Sequence, residues 1–235
     1  MNQIILFEND FTEPGIARLT GRRLDHLNEI LGARQGDSLR AGLLNGFQGE
    51  AKILSITEDE ACLETSLTDE PPPATPLTLI CAVQRPKTMK RIFQYAASAG
   101  IKKIYCIRTW RVEKSYFDSP VLEEQSINEN LILGLEQGRD TILPDVQIRT
   151  LFKPFAEDEL PSILQGTLPL AAHPGSAQEM PRGLNEPVTL AMGPEGGFIP
   201  YEIELLQKKG FIPVHIGQRI LRSEYALPSI VGRLF

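Results

Sequence analysis

Two glycine-rich segments near the end of the chain carry the residue types best suited to holding a polar ligand. The first, Ala191-Met192-Gly193-Pro194-Glu195-Gly196-Gly197-Phe198, follows an apolar strand-like run, Val188 to Met192, and leads toward a helix starting near Pro200. Glycines at 193, 196 and 197 permit positive φ and close approach of the backbone, so N–H groups can face a ligand near a helix N-terminus. The segment is neither G-x-G-x-x-G nor G-x-x-x-x-G-K-[ST], and no lysine is placed to reach a phosphate, so a generic nucleotide loop fits poorly. A tight turn that simply needs glycine explains GPEGG equally well. The second segment, Gly217-Gln218-Arg219-Ile220-Leu221-Arg222-Ser223-Glu224, is again a glycine turn between a strand-like run, Ile212 to Ile216, and a helix. Ligands in open α/β sheets gather at the C-terminal ends of strands. The two segments could therefore wall one pocket, with Arg219 and Arg222 either facing it or merely solvated.

Charge is distributed unevenly. The 235 residues carry a net charge of -6, yet residues 77 to 118 hold nine Lys/Arg against two Asp/Glu, while residues 1 to 70 hold six against thirteen. Arg85, Lys87, Lys90, Arg91, Lys102, Lys103, Arg108, Arg111 and Lys114 form this basic island. It suits a phosphate backbone, whose contacts set affinity and make it salt-dependent. Trp110 and Tyr116 within it are available to stack on an unpaired base; a solvated charged face with two packed aromatics is the plainer reading. Cys62, Cys81 and Cys106 are odd in number, widely spaced and without a CxxC pair, and the three histidines are scattered, so buried thiols and no metal are expected.

The elements that must position these residues follow from the patterning. Asp69 to Pro76 contains four prolines in six residues, a stiff linker that divides the chain into residues 1–70, 71–76 and 77–235. Before it, short alternating runs such as Gln3 to Phe7, Ser38 to Leu43 and Gly49 to Ile56 predict a small β-barrel. A helix at about Gly21 to Leu31 interrupts it, with Leu24, Leu27, Ile30 and Leu31 on one face. After the linker, strand and helix alternate: strands at Leu77 to Val83, Ile104 to Ile107, Val146 to Ile148, Leu168 to Ala172, Val188 to Met192 and Ile212 to Ile216, with helices at Lys87 to Ala99, Val121 to Glu136, from Pro200 and after Arg222. That order predicts an α/β fold with a mainly parallel sheet and helices on both faces. With 42% hydrophobic and 23% charged residues the chain can bury a full core. No apolar run approaches the ~18 to 20 residues of a membrane span, and the acidic opening MNQIILFEND lacks signal-peptide character, so a cytoplasmic protein without membrane attachment is expected.

GPEGGF, then Glu202, then Gly210-Phe211, then IGQRILRSE, in this order and spacing, resembles the RsmE family of 16S ribosomal RNA uridine N3-methyltransferases in the SPOUT superfamily. Glu136-Gln137-Gly138-Arg139 with Pro144 is similar to that family's EQ-x-R-x(4)-P stretch, and His26-Leu27 through Gly36-Asp37 to the helix and turn of its PUA-like barrel. The resemblance implies a PUA-like RNA-binding domain followed by a trefoil-knotted methyltransferase domain. It also implies a homodimer, with which an apolar last helix containing Leu227, Ile230, Val231 and Leu234 is compatible, and ribosomal RNA or the small ribosomal subunit as partner. S-adenosylmethionine would be held by Met192, Gly193, Glu195, Gly196 and Gly197, by Ile216, Gly217, Ile220 and Leu221, and by a third wall at Leu170.

Transfer to a uridine N3 needs in-line positioning, loss of the N3 proton and a partner for the anionic base. Arg222, or Arg139 reaching across a dimer, would stabilise the anion; Glu195 and Glu224 are the proton acceptors to consider, Glu224 being equally suited to orient Arg222. The chain departs from the family at Tyr95 and Ser98, where K-x-T-E-L-G-V is usual, at Gly32, and at Tyr225 in R-x-E-T-A. Two other readings stay open: a ribosome-associated RNA-binding protein of the same fold that has lost transfer, and a SPOUT enzyme with another RNA target.

Overall fold

Alternating apolar residues in the first seventy positions put one face of each strand inward, and the result is a six-stranded sheet. In the computed structural model, which describes residues 2–235, its strands are β1 (Ile4–Leu6), β2 (Phe11–Glu13), β3 (Ile16–Leu19), β4 (Ser38–Leu43), β5 (Gln48–Ile56) and β6 (Ala61–Asp69). They run in the order β1-β4-β5-β6-β3-β2, with β1 parallel to β4 and all other neighbours antiparallel. No ladder joins β1 to β2 among the described residues, so the expected barrel is a sheet with two free ends around its own core of Leu6, Leu19, Leu27, Ile53 and Leu63.

The helix between β3 and β4 departs from its expected face. α1 (Arg22–Asp25) passes into a π-type turn over His26–Leu31 that Gly32 ends in the left-handed region. Leu24 and Leu27 are buried, whereas Ile30 is 70% exposed and Leu31 52%. The wider i→i+5 winding rotates later residues off a stripe laid out at 3.6 residues per turn.

The linker is a bonded strap. Thr75 donates its backbone N–H to the Gly100 carbonyl at 3.0 Å and its hydroxyl to the Ala99 carbonyl, and Val188 donates to Pro76 at 2.8 Å. Beyond it come β7 (Leu77–Ala82), α2 (Pro86–Ser98), β8 (Lys103–Ile107), α3 (Lys114–Phe117), α4 (Glu124–Gly138), β9 (Asp145–Arg149), α5 (Phe152–Pro154), α6 (Leu160–Ile163), β10 (Leu168–Ala172), β11 (Gln178–Glu179), β12 (Val188–Met192), α7 (Pro200–Lys208), β13 (Ile212–His215) and α8 (Ser223–Leu234). The strands form one seven-stranded sheet, β11-β13-β10-β12-β7-β8-β9, parallel at every pairing. Continuous apolar runs such as Val188–Met192, buried at all five positions, are what a parallel sheet covered on both faces requires. The helical stretch at 152–163 has no counterpart in the predicted elements, because Pro154 and Pro161 interrupt the pattern that would announce it.

Two consequences concern function. The apolar residues of α8 do not form a free dimer face: Leu227, Ile230, Val231 and Leu234 are all buried in the core of their own chain. Glu136, part of the EQ-x-R resemblance, anchors the two sheets to each other. Its buried carboxylate receives a two-pronged bond from Arg22 at 2.8 and 2.9 Å, and its carbonyl accepts from the N–H groups of Asn2 and Gln3. Paired N–H···O bonds of this kind are the strong form of a guanidinium–carboxylate contact.

Candidate active site

β10, β12 and β13 are neighbours in the sheet, so the loops after their C-terminal ends converge although the end of β10 at Ala172 and the end of β13 at His215 lie far apart along the chain. Together they enclose a cavity of about 640 Å³, within the usual range for small-molecule sites. Of the residues singled out in the two glycine segments, Met192, Gly193, Glu195, Gly196, Gly197, Ile216, Gly217, Ile220 and Leu221 line it, as do Arg222 and Glu224. Leu170 does not. It lies mid-strand, 1% exposed, paired with Leu190 on one side and Ile212 on the other; the strand runs two residues further, and the third wall is Ala172 with His173, Pro174 and Gly175.

The first loop is held from several directions. Gly193 is packed so tightly that a Cβ there would sit 2.9 Å from the Phe198 backbone nitrogen, and Gly197 adopts φ +71° with open space beside it, the combination needed for backbone to face a ligand. Glu195 accepts the Arg85 backbone N–H at 2.9 Å, and the Arg111 guanidinium donates to the Gly196 carbonyl. Glu202, buried in the first turn of α7, accepts from the Ile199 N–H at 2.9 Å and from the Trp110 N–H at 2.7 Å, tying the basic segment after β8 to this helix start.

Gln84, which motif reading passed over, is the joint between the loops. Its amide is fully buried at the end of β7. The amide nitrogen donates to the carbonyls of Ala82 at 3.0 Å and Gly193 at 2.8 Å, and the amide oxygen accepts from the Ser223 hydroxyl at 3.0 Å. One side chain thus sets the distance between the first glycine loop and the start of α8. A polar residue directly after the apolar run Leu77–Val83, at a C-terminal strand end, was the signal for it. His173 and His215 also line the cavity, and the Gly217 N–H donates to His215 Nδ1 at 3.1 Å, so the proton of the neutral ring belongs on Nε2.

The remaining predicted residues separate into three groups. Arg85 and Arg111 stand at the cavity wall. Lys87 and Lys90 on α2, Lys103 on β8, Arg108 and Lys114 are exposed, with the Arg108 guanidinium 5.8 Å from the Phe117 ring. Arg91 and Lys102 are already engaged: Arg91 pairs with Glu224 at 3.2 Å, and Lys102 is mostly buried against Asp140 at 2.6 Å and the Ile142 carbonyl at 2.7 Å. Arg139 is exposed at the end of α4 in a left-handed conformation and is not part of the cavity. Tyr116 donates its hydroxyl to Glu113 at 3.1 Å and accepts from Arg85 at 3.0 Å, whereas Trp110 is 81% exposed. The Arg85 guanidinium is held above its ordinary value by that Tyr116 bond, and burial pushes the Cys81 thiol beneath the site up to about 12.

The profile of the RNA methyltransferase domain family matches residues 70–234. A ribosomal RNA small subunit methyltransferase E of Treponema pallidum is 30% identical over 234 residues, covering 95% of this chain and 86% of its own length. The ribosomal RNA small subunit methyltransferase E 1 of Borreliella burgdorferi is 29% identical over 234 residues, covering 96% and 94%. In three dimensions the chain shares the fold of the Neisseria gonorrhoeae ribosomal RNA small subunit methyltransferase E, crystallised bound to S-adenosyl methionine, with a TM-score of 0.73 at 20% identity over 98% of this chain and 96% of that one. With a profile spanning the whole seven-stranded unit and a relative of that identity along nearly its full length, this chain belongs to the ribosomal RNA small subunit methyltransferase E family.

Proposed function

We infer that this protein methylates ribosomal RNA of the small subunit, at N3 of a uridine, with S-adenosylmethionine as methyl donor. The observation that carries the reading is the convergence of both glycine segments and the 172–175 turn on one cavity, with Arg222 at its wall. The cavity fits the donor by size and by chemistry: Met192, Ile216, Ile220, Leu221 and Ile230 offer apolar surface to an adenine ring, and backbone groups around Gly193, Gly197 and Gly217 offer hydrogen-bonding partners to its polar parts. When bound, S-adenosylmethionine supplies an electrophilic methyl carbon on a sulfonium.

The chain's own residues do the rest. Gln84 holds the two glycine loops at a set separation, which supplies the positioning that a bimolecular transfer needs. Arg222, exposed at the cavity wall, faces negative charge that develops on the uracil ring as its N3 proton passes to solvent water and the N3–methyl bond forms at the expense of the donor's sulfur–methyl bond. Glu224 is paired with Arg91 and orients the start of α8; its carboxylate also favours the positive end of that helix. Arg85, Lys87, Lys90, Lys103, Arg108, Arg111 and Lys114 carry phosphates, and the N-terminal sheet adds a PUA-like RNA-binding module. The seven-stranded unit would be the SPOUT domain with its trefoil knot. A homodimer would use the groove between α2, α4 and α8, where Tyr95, Leu133, Tyr225 and Pro228 leave apolar surface uncovered.

The test is direct. Small subunits from cells lacking the modification are incubated with the protein and methyl-labelled donor, and nucleosides are separated by mass spectrometry. Labelled 3-methyluridine is expected. Label in another nucleoside would mean a different target atom, and donor binding without label would mean an RNA-binding protein that has lost transfer.

A further inference from the structure

Trp110 is the sole tryptophan of the chain and, among the described residues, the most exposed large apolar side chain. Leaving an indole 81% in water forgoes the burial that usually places tryptophan at a core or a contact. Its backbone, by contrast, is fixed. The Trp110 N–H donates to the buried Glu202 carboxylate at 2.7 Å, Val112 N–H donates to the Thr109 carbonyl at 3.2 Å, and both Thr109 and Val112 are buried. The next residue, Arg111, bonds the Gly196 carbonyl and stands at the cavity wall. A rigid turn therefore carries a free aromatic face beside the site.

Charge specifies what that face meets. Arg108, Arg111 and Lys114 lie within four residues of the indole, and the single carboxylate of the segment, Glu113, accepts the Tyr116 hydroxyl. Tyr116, the other aromatic beside these cations, is half-buried and has its hydroxyl tied to Arg85 and Glu113, so it is less open to a base than Trp110. Aromatic faces interleaved with cations are the pattern of single-stranded nucleic-acid binding, in which bases stack on rings while the backbone follows the charge. Anchoring the turn in advance lowers the ordering cost of such a contact.

We propose that Trp110 is a stacking platform for an unpaired nucleobase of the RNA substrate, next to the cavity that receives the target uridine. This deepens the proposed function and rests on it. The site takes a base by its π-face, flanked by phosphates on Arg108, Arg111 and Lys114.

Because there is one tryptophan, its emission reports on this site alone. A single-stranded RNA of twelve uridines and an abasic chain of equal length are titrated into the full-length protein at low salt, with tryptophan fluorescence read beside the anisotropy of an end-labelled probe. The uridine chain is expected to bind and to quench the emission by half or more; the abasic chain is expected to bind more weakly and leave the emission unchanged. Trp110→Ala should weaken uridine-chain binding about tenfold, the order expected for one stacked base, without changing binding of the abasic chain, and Trp110→Tyr should restore most of the loss. Binding with unchanged emission and no effect of Trp110→Ala overturns the platform while leaving the methyltransferase reading in place. Emission that changes with protein concentration alone would put a second copy of the chain on this face and overturn it too. Absence of RNA binding by anisotropy would overturn the platform, while labelled transfer to small subunits decides the methyltransferase reading separately.

Discussion

The Arg91 guanidinium lies 3.2 Å from the Glu224 carboxylate, joining α2 to the first turn of α8 beside Arg222. Glu224 is largely shielded from solvent in this arrangement, so its charge is engaged before any substrate arrives. An orienting role follows, and Glu224→Gln should lower single-turnover methyl transfer roughly tenfold, the size of one lost charge-assisted bond. The factor should be the same at pH 6.5 and pH 9. A rate that recovers with rising pH in this variant would mark Glu224 as the proton acceptor.

Gln84 supplies a second test, since its contacts reach both glycine loops at once. Gln84→Glu keeps the shape but sets a carboxylate oxygen against the Ala82 and Gly193 carbonyls in a fully buried site. The lost donors and the buried charge should cost about 2 kcal/mol or more of stability. Thermal melting should fall by several degrees, and affinity for S-adenosylmethionine should weaken at least tenfold. A variant with normal affinity would release Gln84 from its positioning role.

Adjacent lysines should behave oppositely. Lys103 is exposed, so Lys103→Ala should weaken RNA binding and reduce the slope of log affinity against log salt by about one unit at most. Lys102 holds Asp140, whose side chain is almost fully buried, so Lys102→Ala should leave that slope alone and destabilise the fold by roughly 2–4 kcal/mol in denaturant melts. A reversed result would mean that Lys102 reaches the RNA.

This pair also illustrates what can be read from a linear chain. The continuous apolar runs of β10 and β12 and the glycine segments after β12 and β13 were legible, because a strand buried on both faces and a backbone that must face a ligand each leave a local mark. The partners of Lys102 and Gln84 left none. Asp140 is 38 residues from Lys102 and Gly193 is 109 from Gln84; the first pair meets because β8 lies beside β9 in the sheet, the second because β7 lies beside β12. The outward turn of Ile30 and Leu31 was hidden for a different reason: the winding changes from α to π within the helix while the apolar spacing stays the same. Leu170 was placed on the right strand but two residues short of its end.

Burial keeps the Cys81 thiol neutral, with its ionisation pushed up to about 12 from 9.0, and raises Cys106 in the same direction. In the unfolded chain both ionise near their ordinary value, so their contribution to stability is complete below about pH 9 and declines above it. Between about pH 9 and 12 the Cys81 contribution should fall by about 1.4 kcal/mol per pH unit. Denaturant melts of the wild type and of Cys81→Ala across that range should converge as pH rises. Parallel curves would show that Cys81 ionises in the folded protein.

The proposed function depends first on the cavity between the glycine loops holding S-adenosylmethionine. Isothermal titration of the donor into the wild-type protein and into Gly197→Val tests it most directly, with circular dichroism confirming that the variant is folded. Gly197 sits at φ +71° beside open space, so a branched side chain is strained there and would project into the ligand's volume. Saturable binding, one donor per chain, is expected for the wild type, with a loss of at least tenfold in affinity for the folded variant. A wild type that takes up no donor, or a folded variant that binds as the wild type does, would contradict it.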